Sequence, residues 1–312
     1  MYNIDEVDPE KVYDMIIVGT GPAGLGCAIY AARFAMDILI IGKVWGGLIT
    51  TTHVVENYPP IVTATGPELM EQFREHIDSL DIPYISDEIR EIEKEDDQFI
   101  LKSFFQTFKA KTLLIATGSE RRKLNIPGEE KFSGNGVSYC ATCDGPFYKD
   151  KKVCVIGGSD SAAKEALFLA QNAKEVYIIY RKEEIRAEPI NKKRVMNNEK
   201  IKIINNTNII EIKGNEKVQS VIFDDGEEFE TDGVFIEIGS VPNSDIVKDL
   251  GVEVNKKKEI IINRGSETNV PGIYAAGDVG DAPFKQAVTG VAEGVIAAYS
   301  AFDFLKKEKI KY

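Results

Sequence analysis

The chain has few of the residues on which disulfide scaffolds and zinc sites depend. Among its 312 residues are four cysteines and two histidines. Four cysteines are too few for the disulfide framework of a secreted chain of this length. Zinc needs four ligands, and His53 and His76 are distant in sequence from the one close cysteine pair, Cys140 and Cys143. We therefore expect neither a disulfide scaffold nor a metal site.

Positive charge and long apolar runs are also scarce. The chain has 38 Lys and Arg against 50 Asp and Glu, a net charge of −12, whereas a protein that binds nucleic acid usually carries a basic field. Residues 1–6 are acidic, unlike the basic and then apolar start of a signal peptide. No apolar run approaches the roughly 20 residues that span a bilayer. We expect a soluble, cytoplasmic protein that binds neither nucleic acid nor a membrane.

The same local pattern occurs twice along the chain, which is long enough for two domains. A buried strand leads into a Gly-rich turn, a helix and a second strand. The segments are 14–18, 19–24, 25–33 and 38–41 in the first copy, and 153–156, 157–162, 163–171 and 176–180 in the second. Two such units predict an α/β protein with two doubly wound, three-layer nucleotide-binding domains.

The first Gly-rich turn, GTGPAG, matches the dinucleotide-binding fingerprint. Gly19 permits the tight turn, Gly21 lets the backbone approach a pyrophosphate, and Gly24 allows close packing of the helix. The helix N-terminus then presents free N–H groups to the phosphates. The acidic residue expected about 20 positions on, which would bind a ribose, is missing.

A second half of this site is predicted near the other end of the chain. Residues 273–279 form an apolar strand pattern that ends in Gly277 and Asp278, as in folds that bind FAD. The two halves enclose the second unit, which is therefore predicted to be an insertion. We expect a discontinuous FAD-binding domain, 1–118 and 244–312, and a domain resembling an NADPH-binding domain, 119–243.

The sequence CATCDG carries the redox chemistry that we expect. Cys140 and Cys143 can close a small disulfide ring and reopen it, and in a reducing compartment such a pair is more often catalytic than structural. Asp144 follows directly and is a candidate proton acceptor and donor, although it could instead only cap a turn. Cys27 and Cys154 lie in apolar patterns, and we interpret them as buried hydrophobic residues.

The order of the motifs resembles the low-molecular-weight thioredoxin reductases over essentially the whole chain. The motifs are GTGPAG, GG followed by TTH and VENYP, ATG, CATCDG, a second Gly-rich turn and AAGDV. The resemblance implies an FAD domain, an inserted domain that carries the cysteine pair, a homodimer, and rotation of one domain against the other. It further implies that reduced flavin reduces the disulfide, that Cys143 lies nearer the flavin, and that Cys140 attacks the disulfide of thioredoxin.

The resemblance also assigns a set of residues to the FAD pocket: Gly19, Gly21, Pro22, Ala23, Gly24, Gly46, Gly47, Thr52, Asn57, Ala116, Gly118, Gly277, Asp278, Gln286 and Ala287. Four nearby positions depart from the family pattern, namely Trp45, Leu48, His53 and Lys285. They indicate altered surroundings of the flavin rather than its loss. Trp45 either stacks near the cofactor or fills a surface groove.

The larger departures lie in the second unit. Its turn has Ser159 where the family has the glycine that touches the pyrophosphate, and a side chain there should crowd a nucleotide. In the family's 2′-phosphate clamp, Tyr180 replaces a His and Lys182 replaces an Arg, which binds phosphate better. Lys164 replaces an acidic residue on the following helix.

These departures leave two electron donors open. Either NADPH still binds and reduces FAD, or a one-electron protein such as ferredoxin does so, as in a known branch of the family. We favour ferredoxin. An acidic ferredoxin would need a local basic patch, for which segments 149–152 and 192–194 are candidates, although such runs are ordinarily solvated surface. A flavin-binding redox sensor without turnover is a remoter alternative, which the intact cysteine pair disfavours.

Overall fold

The computed structural model describes residues 7, 8 and 10–310, without the side chains of 308–310. The acidic residues 1–6 lie outside this part. The chain divides into two compact units, one formed by Met1–Glu120 with Val241–Tyr312 and the other by Arg121–Ser240.

The first unit begins as a sheet with helices between its strands. In chain order its elements are β1 (Val12–Val18), α1 (Pro22–Arg33), β2 (Ile38–Ile41), α2 (Gly66–Ser79), β3 (Tyr84–Ile85), β4 (Glu91–Glu95), β5 (Gln98–Lys102) and β6 (Thr107–Ile115). The strand order is β3-β2-β1-β6-β5-β4. The first four strands are parallel, and β4 and β5 form an antiparallel hairpin against β6.

Alternation along β1 explains why this sheet is buried on both faces. Met15 and Ile17 pack into one core together with α1, whereas Ile16 and Val18 pack into the core on the opposite face. Because successive side chains of a strand point to opposite faces, a continuous apolar run such as Ile38–Ile41 predicts a central strand of this kind. The observed β2 has the predicted bounds.

The chain enters the second unit through β7 (Ser119–Arg121). The elements that follow are β8 (Val137–Ser138), α3 (Ala141–Asp144), β9 (Lys152–Ile156), α4 (Asp160–Leu169), β10 (Glu175–Tyr180), α5 (Pro189–Met196), β11 (Ile201–Asn205), β12 (Ile209–Gly214), β13 (Val218–Phe223), β14 (Glu228–Glu230) and β15 (Gly233–Ile236). A five-stranded parallel sheet has the order β11-β10-β9-β15-β8. Helices cover one face, and the antiparallel sheet β12-β13-β14 covers the other.

The chain then returns to complete the first unit. The strand β16 (Ser240–Pro242) pairs with β7, β17 (Ile273–Ala275) joins β6 in parallel, and α6 (Ala287–Ile310) packs on α1. The strand expected over 273–279 ends earlier because Gly277 adopts a φ of +78°, and Gly277–Val279 forms a 3-10 turn. The predicted fold class, two α/β nucleotide-binding folds with the second inserted into the first, is confirmed.

The helix α6 corrects one expectation. Its segment Ala287–Lys307 is long and apolar enough to cross a membrane by length and composition, contrary to the expectation that no apolar run approaches this length. Small residues supply much of that apolar character, and they serve close packing. A Cβ on Gly294 would lie 2.1 Å from the carbonyl oxygen of Ala23, and a Cβ on Gly26 would lie 2.9 Å from Val291. The apolar composition of α6 therefore has a structural reason within the unit.

Candidate active site

The first Gly-rich turn requires glycine at its two ends. Gly19 has a φ of +128°, and a Cβ there would lie 2.1 Å from the carbonyl oxygen of Ala116. A Cβ on Gly24 would lie 2.1 Å from the carbonyl oxygen of Gly19. Gly21, by contrast, has φ −79° and ψ 177°, and its Cβ would meet nothing closer than Gly46 at 3.8 Å. The fold does not need glycine at Gly21, so this position is free to serve a ligand.

Three distant segments meet around this turn. The amide of Gly46 donates to the carbonyl of Thr20 at 2.9 Å, and a Cβ on Gly47 would lie 3.5 Å from Gly21 Cα. Gly277 faces Ala23, since a Cβ on the glycine would lie 3.0 Å from that side chain. These residues form an open cradle at the N-terminus of α1, which we call the first cradle. Its lining comes from backbone and small side chains.

A second link joins two predicted flavin contacts that are 229 positions apart. Asn57 Nδ2 donates to Gln286 Oε1 at 2.9 Å. Ala287 follows as the first residue of α6, and Asp278 lies half-buried in the 3-10 turn after Gly277. Of the remaining predicted contacts, Pro22 is the first residue of α1, Thr52 ends the turn Gly47–Thr51, and Gly118 has a φ of +65° with no atom within 4 Å of a Cβ.

Trp45 packs against the protein rather than standing free. Its ring lies 4.6 Å from that of Tyr84, and the guanidinium of Arg74 lies 4.8 Å from it. It also contacts the helix-covered core of the first unit. These contacts favour the groove-filling interpretation of Trp45.

Lys285 donates to the backbone carbonyl of Asp278 at 2.9 Å and pairs with Glu259 at 2.6 Å.

The cysteine pair lies at the start of α3 in the second unit. Cys140 and Cys143 form a disulfide with their Cα atoms 5.4 Å apart. Cys140 is the N-cap of α3, and its Sγ accepts a hydrogen bond from the Cys143 amide at 3.2 Å. A hydrogen bond to sulfur at a helix N-terminus stabilises a thiolate. The geometry therefore favours thiolate character at Cys140 once the pair is reduced.

The other two cysteines have no access to this chemistry. Cys27 and Cys154 are free thiols with no exposed surface. Burial raises the pKa of both thiols, that of Cys154 to about 12. The interpretation of both as buried hydrophobic residues is confirmed.

A buried ionic cluster lies beside the cysteine pair and was missed by the sequence analysis. Glu165 Oε1 accepts a hydrogen bond from the Ala141 amide at 3.4 Å and lies 3.6 Å from Arg121 Nη1. Arg121 also pairs with Glu237. Burial raises the pKa of Glu165 to about 7, although Arg121 and the Ala141 amide act to lower it. These residues come from β7, α4 and the position directly after β15, and they share no sequence motif. The one sequence signal for Glu165 is that an acidic residue stands next to Ala166, which is buried.

The second Gly-rich turn is covered by the chain itself. A Cβ on Gly158 would lie 2.5 Å from the Tyr180 ring, so this ring packs directly on the turn. The Arg186 amide donates to the Gly158 carbonyl at 2.6 Å, and Arg186 Nε donates to the Tyr180 hydroxyl at 3.1 Å. Ser159 precedes α4 with φ −85° and ψ 177°. Its side chain occupies the position that is open at Gly21.

The comparisons with known proteins agree with this geometry. Residues 13–294 match the family model of the pyridine nucleotide-disulphide oxidoreductases. A thioredoxin reductase from Bacillus subtilis is 38% identical over 305 residues, covering 96% of each chain. The crystal structure of Lactococcus lactis thioredoxin reductase is similar with a TM-score of 0.92 and 39% identity, over 95% of this chain and 99% of that one. A ferredoxin-flavin thioredoxin reductase from Clostridium acetobutylicum is similar with a TM-score of 0.53 and 35% identity, over 95% and 98%.

The family implies FAD, and the first cradle fits it. An open space at Gly21, next to the free N–H groups of a helix N-terminus, is where a pyrophosphate can approach the backbone. Gly46, Gly47 and Gly277 leave further room around it, and the Asn57–Gln286 pair offers polar groups. The chain belongs to the pyridine nucleotide-disulphide oxidoreductase family, as a flavoprotein whose similar relatives are thioredoxin reductases.

Proposed function

We propose that this protein is a cytoplasmic, homodimeric thioredoxin-disulfide reductase whose electron donor is reduced ferredoxin. FAD would be held by residues 1–118 and 244–312, and the Cys140–Cys143 pair would be carried by 119–243. The observation that carries the proposal is the disulfide at the start of α3, next to Asp144, in a chain with a cradle that fits FAD. When bound, FAD supplies the electron pair that reduces this disulfide.

The chain's own residues account for the exchange with thioredoxin. Cys140 Sγ, which accepts the Cys143 amide hydrogen bond, is the sulfur better stabilised as a thiolate. Its attack on the thioredoxin disulfide forms a mixed disulfide, and Cys143 then attacks Cys140 to release the reduced partner. Asp144 adjoins Cys143 and is half-buried, so it is placed to accept the proton that Cys143 loses.

The second Gly-rich turn supports ferredoxin over NADPH. A dinucleotide needs close approach to this turn, but the Tyr180 ring covers Gly158, and Arg186 is hydrogen-bonded across both residues. Ser159 adds a side chain where a pyrophosphate would sit. The likeness to a ferredoxin-flavin thioredoxin reductase is consistent with this donor.

NADPH is the alternative donor, and one observation favours it. Arg181 and Lys182 are exposed, so both remain available to a 2′-phosphate.

Of the two candidate basic patches for ferredoxin, segment 149–152 keeps Lys149 and Lys151 exposed, whereas Lys192 in the other patch pairs with Glu184.

An anaerobic reduction experiment distinguishes the donors. The purified flavoprotein is mixed with excess NADPH, with NADH, or with reduced ferredoxin, and the flavin absorbance is followed. We expect rapid bleaching by ferredoxin and none within minutes by either nucleotide. Rapid bleaching by NADPH would contradict the ferredoxin assignment.

The same preparation tests the role of the disulfide. A Cys143→Ser protein should keep its FAD and its bleaching by the donor, but lose thioredoxin reduction by a factor of about 1,000 or more, because no disulfide can form. A Cys154→Ser protein is the matched control and should keep its activity. Full thioredoxin reduction by the Cys143→Ser protein would show that electrons reach thioredoxin without this disulfide.

A further inference from the structure

Glu165 is a buried acidic side chain that the exchange chemistry described above does not use. Its side chain is 14% exposed, and its Oε2 atom is buried without a hydrogen-bond partner within the described part of the chain. A buried carboxylate normally has both oxygens satisfied. Glu165 thus keeps one free position, on an acid that binds the amide of the residue next to Cys140.

The charges around Glu165 do not keep its carboxyl group fully ionised near neutral pH. Arg121 is the one cation within salt-bridge distance among the described residues, and it is shared with Glu237. On α4 itself, Lys164 pairs with Asp160 rather than with Glu165. Burial outweighs the attraction of Arg121 and raises the pKa of Glu165 to about 7. Near neutral pH this side chain therefore exists in both protonation states.

We propose that Glu165 is a positioning residue that takes up a proton when the Cys140–Cys143 disulfide is reduced, so that Cys140 stays a thiolate. This inference rests on the proposed disulfide chemistry. Reduction adds two electrons, breaks the S–S bond and draws two protons from solvent. One proton goes to Cys143, giving its thiol; the other goes to Glu165, and the negative charge passes from the carboxylate to the Cys140 sulfur.

We expect this proton uptake because the Glu165 carboxylate and the Cys140 thiolate repel each other. A carboxylate one residue from Cys140 disfavours a thiolate there, and the thiolate in turn disfavours the carboxylate, so the two groups titrate as a coupled pair. A neutral Glu165 removes this repulsion and still accepts the Ala141 N–H bond that holds the start of α3. Protonation of one buried acid thereby keeps the attacking sulfur ionised near neutral pH.

The test is the pH profile of Cys140 in a Cys143→Ser background, where no disulfide forms and Cys27 and Cys154 are buried. The rate of iodoacetamide alkylation is measured against pH with and without Glu165→Gln. The glutamine carbonyl can accept the same N–H bond but carries no charge. Glutamine reproduces the neutral state that Glu165 adopts beside the thiolate, so we expect the midpoint of the profile to stay within about 0.3 pH unit. Alkylation removes the thiolate charge and lets Glu165 ionise again, so near pH 7.5 the protein with Glu165 should release about half a proton per molecule, measured with a pH indicator, and the Glu165→Gln protein almost none. A midpoint that falls by about one pH unit would show that Glu165 stays ionised beside the thiolate, and equal proton release by the two proteins would show that Glu165 does not take up the proton; either result would overturn the proposal.

The matched control is Glu175→Gln in the same background. Glu175 lies in the same unit and pairs with Lys202 on the surface, so its replacement should leave both the midpoint and the proton release at the values of the Cys143→Ser protein. Bound FAD and circular dichroism check that each variant is folded. Because neither an electron donor nor thioredoxin takes part, failure of this test is distinct from failure of the proposed function.

A spectroscopic measurement serves if the Gln variant does not fold. In the Asp144→Asn protein, dithiothreitol reduces the disulfide, and the infrared difference spectrum is recorded. We expect a new carboxylic-acid C=O band from Glu165 upon reduction. A spectrum without such a band would overturn the proposal.

Discussion

The two Gly-rich turns have the same backbone conformation and differ in the side chains that they carry. Gly21 precedes α1 with φ −79° and ψ 177°, and Ser159 precedes α4 with φ −85° and ψ 177°. In both turns the first glycine packs against a carbonyl at the end of the neighbouring strand. A Cβ would lie 2.1 Å from the Ala116 oxygen at Gly19, and 2.0 Å from the Glu237 oxygen at Gly157.

The difference lies in the space where a pyrophosphate would bind. At the first turn, Gly21 borders an open cradle lined by Gly46 and Gly47. At the second, the Ser159 side chain and the Tyr180 ring take up the corresponding room. The first glycine, whose Cβ would clash in both turns, is thus retained in both, whereas the glycine that borders the open cradle in the first turn is a serine in the second. If the second turn binds no nucleotide, as we propose, a nucleotide-binding fold has here lost its ligand site and kept its architecture.

The largest effect is expected from Gly21→Ser, which gives the first turn the side chain of the second. The fold should accept it, since the backbone conformation suits serine and the nearest atom to a Cβ is 3.8 Å away. FAD should bind at least about 100-fold more weakly, about 3 kcal/mol, because the side chain enters the phosphate position. Fluorescence titration of the apoprotein with FAD measures this loss.

The reverse substitution is the matched control. Ser159→Gly changes the same backbone position in the second unit and should leave FAD affinity unchanged. Circular dichroism of the Gly21→Ser protein separates loss of the cofactor from loss of the fold. If that protein bound FAD normally, Gly21 would not border the pyrophosphate.

A smaller effect is expected from reopening the second turn. Ser159→Gly combined with Tyr180→His removes the added side chain and the ring that covers Gly158. Bleaching of the flavin by NADPH should then rise by about tenfold, about 1.4 kcal/mol of transition-state stabilisation. Stopped-flow absorbance with NADPH measures the rate.

Tyr180→Phe is the control for this pair. It removes the hydroxyl that accepts the Arg186 hydrogen bond but keeps the ring on Gly158, so the rate with NADPH should stay at the wild-type value. A double variant no faster than the wild type would show that these two residues do not block the nucleotide.

The sequence predicted those parts of the molecule that local patterns determine. The strand Ile38–Ile41 has the expected bounds because a run of four apolar residues is typical of a strand in a sheet that is buried on both faces. The helix after the second turn starts at Asp160, three residues before the expected Ala163. The first helix was likewise expected from Leu25 and starts at Pro22. In both copies the helix begins directly after its N-cap inside the Gly-rich turn, which the apolar pattern alone does not reveal.

The ionic cluster beside the cysteine pair could not be predicted in this way. Arg121, Glu165 and Glu237 come from three elements, and none belongs to a motif. Their proximity depends on how β7, α4 and β15 are arranged in three dimensions. The same holds for Tyr180, whose substitution was visible in the sequence but whose packing on Gly158 was not.

The smallest effect is expected in a comparison of how tightly the two units are packed. Each unit buries one free cysteine with no exposed surface, Cys27 in α1 and Cys154 in β9. In a protein with Cys140→Ser and Cys143→Ser, labelling of either thiol by iodoacetamide requires the chain to open. If both units are equally well packed, the two rates should agree within about threefold, or about 0.65 kcal/mol of opening free energy, as measured by peptide mass mapping over time. Faster labelling of Cys154 alone would show that the second unit is less well packed than the first, whereas equal rates would mean that the substitutions at its turn left the packing of this unit intact.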